Sequence, residues 1–257
     1  MRNYSACIEW LFATPDDRFE DRIARAAAAG LGFIEFWRWT DKDLDAIEAA
    51  LNRTGLKVSS LVAEPMIPLT DINNRETWLE GLTQSVAVAK RLGAPVLIAQ
   101  AGDDLPGLSR REQREALIGT LHAAADILQG TGVRLGVEPL NTRIDHIGYY
   151  LESTREALDI IDEVNRPEIG ITYDIYHSAV MDEKTEDVIA NRISRIIHVH
   201  IADHPGRNDP GTGSIDLRHR LDWLFDHGYR GAVGMEYRPL TADAAAVKVA
   251  LRGLNSV

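Results

Sequence analysis

Short apolar runs alternate along the chain with longer segments whose apolar positions recur every three or four residues, so the hydrophobic pattern predicts strand, helix, strand, helix from end to end. The predicted strands run over Tyr4 to Leu11, Gly32 to Trp37, Leu56 to Ala63, Pro95 to Gly102, Val133 to Glu138, Ile169 to Asp174, Ile196 to Ala202 and Ala232 to Tyr237. Between them, Arg18 to Gly30, Asp41 to Gly55, Arg75 to Leu92 and Arg110 to Gln129 are predicted helices, and Ala242 to Arg252 is the last. Ser153 with Glu156 three residues on is the signature of a capping box at a further helix start. Eight such alternations without a Pro/Gly-rich linker imply one parallel sheet, and eight is the number that closes. The chain's 257 residues fit a single (β/α)8 TIM-barrel domain spanning 1–257, although a doubly wound open sheet shares the same periodicity.

Four of the strands end in polar residues. VRLGVEPL delivers Glu138, IGITYD delivers Asp174 and AVGMEY delivers Glu236, while IIHVHI alternates Ile197, Val199 and Ile201 with His198 and His200. Two residues before each acid stand Gly136, Thr172 and Gly234, so small side chains lie beneath the acids on the same face. If the strands are neighbours, Glu138, Asp174, His200 and Glu236 meet at the C-terminal end of the sheet. Three carboxylates gathered on apolar strand ends repel unless a cation lies between them. A divalent metal is the economical answer, and an O₃N donor set suits Mn²⁺, Mg²⁺, Co²⁺ or Zn²⁺.

Composition narrows the partners. A formal net charge of −11 opposes nucleic acid or an anionic membrane as the main partner and leaves a small-molecule substrate open. The single cysteine, Cys7, excludes an intrachain disulfide and fits a small core residue. No signal peptide is apparent and no apolar stretch is long enough to span a bilayer, so a cytoplasmic enzyme is expected.

With these residues in hand, the chain resembles the hydroxypyruvate isomerase family of the xylose isomerase-like barrels, a group that also holds ketose 3-epimerases. The resemblance runs through the second half, from VEPLN through YDIYH and HVHIADHPGRNDPGTGSID to GMEYRP; the first half matches in architecture only. It implies a metal held by Glu138, Asp174, His200 and Glu236, with the two glutamates as acid and base, and it points to His177 and Arg207 as substrate-binding residues. Many hydroxypyruvate isomerase-like members carry Gln where this chain has His200, whereas the sugar epimerases carry His.

The expected reaction is a metal-assisted isomerisation of hydroxypyruvate or a related oxo-sugar acid, by proton transfer through an enediolate. Ketose 3-epimerisation by the same residues is the alternative; a metal-dependent apurinic endonuclease and a non-catalytic sugar-binding barrel are weaker ones. Bland roles stand beside the chemical ones. Glu138 and Glu236 could pair with Arg134 and Arg238, Asp174 and His177 could cap a helix, and Arg207 could pair with Asp203 or Asp209. His198, one layer below His200, is expected to be a hydrogen-bonded core histidine. Trp10, Phe36 and Trp37 are candidates for the pocket wall, and the loop with Pro65, Pro68, Asp71, Asn73 and Asn74 for its cover. The DPGTG run lacks the residues of a phosphate loop and is expected to be a flexible flap, with Asp203 and His204 solvent-exposed beside it. Association into homo-oligomers is common for such barrels, and no stretch marks an interface.

Overall fold

Eight strands form where the apolar runs predict them, in a computed structural model that describes residues 2–241 and 244–255. They are β1 Asn3–Cys7, β2 Phe33–Phe36, β3 Lys57–Val62, β4 Val96–Gln100, β5 Arg134–Glu138, β6 Ile169–Asp174, β7 Ile196–Ile201 and β8 Ala232–Met235. Every neighbouring pair is parallel and β8 returns to β1, so the sheet closes into a barrel and the open doubly wound arrangement is ruled out. The helices are α1 Phe19–Ala28, α2 Leu44–Thr54, α3 Arg75–Leu92, α4 Arg110–Leu128, α5 Thr154–Val164, α6 Ile175–Val180, α7 Thr185–Ile189, α8 Leu217–Asp226 and α9 Ala244–Asn255. The predicted start of the last helix, Ala242, lies outside the described residues.

The apolar material divides between two places. Ile34, Leu61, Leu97 and Leu135 leave the strands outward and join Ile47, Leu82, Leu121 and Leu158 of the helices in one large buried cluster. Full burial of each such side chain is worth about 1.5–3 kcal/mol, and it is why strands covered on both faces read as apolar runs. Val62, Val96, Ile98 and Ile197 form a second, smaller cluster with Trp37, on the inner side of the sheet. No helix among the described residues is long and apolar enough to cross a membrane.

Several boundaries differ from those predicted. The first strand stops at Cys7, and the backbone turns there, with Trp10 and Leu11 N–H both donating to the Cys7 carbonyl; Trp10 is thereby carried over the barrel mouth. At α5, Ser153 Oγ accepts from Glu156 N–H at 3.4 Å, but the return bond of a capping box is missing because Glu156 pairs with Arg110 and Glu183 takes the Thr154 N–H. The complete box is at α4, between Ser109 and Glu112. Helices α6 and α7, at 6 and 5 residues, are too short for periodicity to delimit.

Candidate active site

Glu138 is the last residue of β5, Asp174 the last of β6, and Glu236 follows directly on β8. In the β7 register His200 stands opposite Asp174 on one side and Gly234 on the other, so all four side chains reach the same end of the lumen. Their ligand atoms lie within 4.8 Å of one another, and all four residues are buried. His200 Nδ1 is 2.7 Å from Glu138 Oε1 and 3.5 Å from Glu236 Oε2.

The surrounding donors fix which oxygens face inward. Asp174 Oδ1 accepts from the Tyr176 and His177 N–H groups at 2.7 and 3.3 Å, so Asp174 does cap α6, and its Oδ2 remains turned to the cluster. Helix cap and ligand candidate are two oxygens of one side chain. The Trp37 indole Nε1–H donates to Glu236 Oε1 at 2.6 Å, and Arg207 Nη2 donates to Glu236 Oε2 at 2.5 Å and to Asp174 Oδ2 at 3.4 Å. Neither Glu138 nor Glu236 pairs with Arg134 or Arg238.

Burial pushes the Asp174 carboxyl up to about 7, with Glu138 and Glu236 adding to the shift and Arg207 and His200 opposing it. For His200 burial works downward, but Glu236, Glu138 and Glu35 outweigh it and hold the imidazole well above its usual range. Three buried carboxylates facing one imidazole and one guanidinium thus form a site that takes up positive charge. Three oxygens and one nitrogen within reach of a common centre fit a divalent cation.

His177 is 2% exposed and sits behind Asp174 rather than on the pocket wall. Its Nδ1 accepts the Asn141 backbone N–H at 3.1 Å, which puts the ring proton on Nε2, 3.5 Å from Asp174 Oδ2. Burial, with Arg207 adding to it, keeps this ring well below its usual pKa and hence neutral. Arg207 adopts a left-handed backbone (φ 56°) after Gly206 and lies over the rings of Trp10 and Tyr176 at 5.2 and 5.4 Å. It pairs with neither Asp203 nor Asp209.

Asp203 is fully buried, contrary to expectation, because its carboxylate organises the following loop. It accepts the N–H groups of His204, Gly211, Gly213 and Ile215 at 2.9 to 3.0 Å. The DPGTG run is therefore pinned rather than a free flap, and two of its amides are committed to Asp203. Gly213 is required at this close approach, since a methyl group there would overlap the His204 carbonyl and Asp203 Oδ1.

A cavity of about 370 Å³ opens above the cluster. Trp10, Trp37, Val62, Met66 and Ile98 wall it, so the proline-rich loop does contribute a covering residue through Met66. Phe36 does not reach it: the ring is 1% exposed and packs edge-on against Phe19 in the outer core. The rim carries Arg38, Arg207 and Arg238, and His146 stands beside them.

Sequence reasoning missed Glu35 of β2. Its carboxylate lies in the lumen one layer below His200, 3.0 Å from His198 Nε2 and 3.5 Å from His200 Nε2. The signal was a lone acid inside the apolar run FIEF. His198 itself is the hydrogen-bonded core histidine expected, and Cys7 is buried, with desolvation raising its thiol pKa well above the ordinary value.

Residues 23–256 match the model of the xylose isomerase-like TIM barrel family. The chain is 30% identical over 255 residues to the hydroxypyruvate isomerase of Escherichia coli K12, covering 96% of this chain and 98% of that protein. It is 27% identical over 232 residues to the 2-oxo-tetronate isomerase of Haemophilus influenzae, covering 86% and 88%. Among solved structures, one named AP endonuclease, family 2, from Brucella melitensis matches with a TM-score of 0.87 at 30% identity, over 96% of this chain and 97% of that one. With a family model matched over nearly its whole length, on the same closed barrel, the chain belongs to the xylose isomerase-like TIM barrel family.

Proposed function

We propose that the protein is a metal-assisted isomerase of a short hydroxy-oxo acid, hydroxypyruvate or a close relative. The observation that carries this reading is the convergence of Glu138, Asp174, His200 and Glu236 within 4.8 Å, with Glu138, His200 and Glu236 lining the cavity above them. A divalent cation held by these four supplies Lewis-acid polarisation of a substrate carbonyl. Glu138 and Glu236, arriving from different sides of the barrel, move the proton between adjacent carbons, and Trp37 and Arg207 hold Glu236 in place for it. His177, with its proton on Nε2 and 3.5 Å from Asp174 Oδ2, supports Asp174 from behind and does not line the cavity. The names of the related isomerases from E. coli and H. influenzae support the acid substrate.

A carboxylate-bearing substrate also suits the rim. Arg207 is already paired with Glu236 and Asp174, and Arg38 gives its Nε to Glu64. Arg238 has no carboxylate partner among the described residues, and its guanidinium lies over the Trp10 ring at 5.3 Å. An unneutralised fork at the mouth of the cavity selects an acid over a neutral ketose. The net charge of −11 favours a small molecule over nucleic acid, in line with a cytoplasmic metabolic role.

A ketose 3-epimerase is the second reading, favoured by His200 at the position where the epimerases carry histidine. Assay of the purified protein with hydroxypyruvate, 2-oxotetronate and a panel of ketoses, before and after chelation and reloading with Mn²⁺, separates the two. Turnover of the oxo acids that disappears on chelation and returns with metal is expected. Activity confined to ketoses overturns the first reading in favour of the second, and activity untouched by chelation removes the metal from both.

A further inference from the structure

We infer that Glu35 is the positioning residue of the metal site: its carboxylate receives the Nε2–H of His200 and so presents Nδ1 to the cation. The inference rests on the metal reading above and extends it to a layer of the barrel that the four ligands do not include.

The two ring nitrogens of His200 face opposite ways. Nδ1 looks up into the cluster, 2.7 Å from Glu138 Oε1, and Nε2 looks down the lumen to Glu35 Oε1 at 3.5 Å. A histidine that ligates through Nδ1 must carry its proton on Nε2, and with the ring 3% exposed that proton needs a protein acceptor. Glu35 Oε1 is the acceptor within reach: it is buried and makes no hydrogen bond of its own, which leaves it open to take that proton. The second oxygen is saturated instead. Oε2 receives Ser59 Oγ at 3.1 Å and Ser60 Oγ at 3.3 Å and lies 3.0 Å from His198 Nε2, and Ser5 Oγ bonds Ser59 Oγ behind it at 2.6 Å. One oxygen is therefore anchored to β3 and β7, with β1 behind them through Ser5, and the other is left aimed at the ligand histidine.

The sheet is cut to admit this carboxylate. Gly234, level with His200 in the β7–β8 register, has no side chain because a methyl group there would overlap both Glu35 oxygens. A glycine, three serines and a second histidine around one acid are a large polar investment for the interior of a barrel, where apolar side chains normally fill the space. Orienting a metal-bound imidazole through its far nitrogen explains all of them, and loss of such a partner typically costs ten- to a hundredfold in metal affinity.

The test uses the full chain. Co²⁺ is titrated into the metal-free wild type and into Glu35→Gln, with affinity and stoichiometry read from the visible absorption band and the fold checked by near-ultraviolet circular dichroism. One ion per chain, bound roughly ten- to a hundredfold more weakly by the variant, is expected; equal affinities overturn the inference while leaving the metal site intact. Two ions per wild-type chain, one of them lost in the variant, also overturn it, by making Glu35 a ligand in its own right. No binding by the wild type removes the metal reading and this inference together. Because Glu35→Gln could fail to fold, ¹⁵N NMR of the histidine rings in Zn²⁺-loaded wild type gives a readout that a merely structural role would not move. His200 is expected with Nε2 protonated and Nδ1 metal-bound, and a proton on Nδ1 overturns the inference.

Discussion

The two halves of the barrel are built to the same plan and end differently. The C-terminal ends of strands β5 to β8 present Glu138, Asp174, His200 and Glu236, while β1 to β4 lead to Trp10, Trp37, Val62 and Ile98 around the same mouth. One half presents ligating atoms and the other presents a wall. The comparison teaches that an eight-stranded sheet needs only half its strands for the reactive groups, provided the rest exclude water and hold those groups still. The division is not complete. Trp37 reaches across to Glu236, and Glu35 reaches beneath His200, so the wall half also sets the orientation of what the other half presents.

Removing a reactive carboxylate is expected to have the largest effect. Glu138→Gln and Glu236→Gln should each lower kcat by about a thousandfold with KM little changed, as general acid–base groups contribute about 10²–10⁴. Steady-state kinetics on the oxo acid checks this, and unchanged turnover in both variants would remove the two glutamates from catalysis. Next comes the loop that seats Arg207. Asp203→Ala strands four N–H groups that now share one buried carboxylate, and a loss of about 2–4 kcal/mol is expected in urea unfolding. A smaller loss, about 1–3 kcal/mol, is expected for Gly234→Ala, which forces a methyl group against Glu35. The smallest effect sharpens the comparison most. Trp37→Phe keeps the apolar wall and deletes the 2.6 Å bond to Glu236, so kcat/KM should fall about tenfold, or about 1.4 kcal/mol. A fall as large as that of Glu236→Gln would abolish the distinction between wall and reactive half; no fall at all would make the two halves independent.

Much of the site was legible because its members sit at the ends of apolar runs. Glu138, Asp174 and Glu236 each break a buried strand, and a charge in that position is too costly to be incidental. The capping box at Ser153 misled for the opposite reason: a local motif was outbid by partners from outside it, with Arg110 taking Glu156 and Glu183 taking the Thr154 N–H. The DPGTG run carried the composition of a mobile loop, and nothing local shows that Asp203 would gather its amides. Arg207 was legible as a site residue but not as the partner of Glu236, because the two acids nearest it in sequence were the obvious candidates.

The sequence by itself determined the order of strands and helices and the strand ends at which acids and His200 stand, since periodicity and the cost of burying charge act over a few neighbouring residues. Tertiary structure alone decided which oxygen of each acid faces the centre, that Trp37 holds Glu236 across 199 residues, and that Glu35 meets His198 across 163. Those contacts exist only once β8 pairs with β1, because closing the sheet brings β2, β7 and β8 around one lumen where side chains distant along the chain become neighbours.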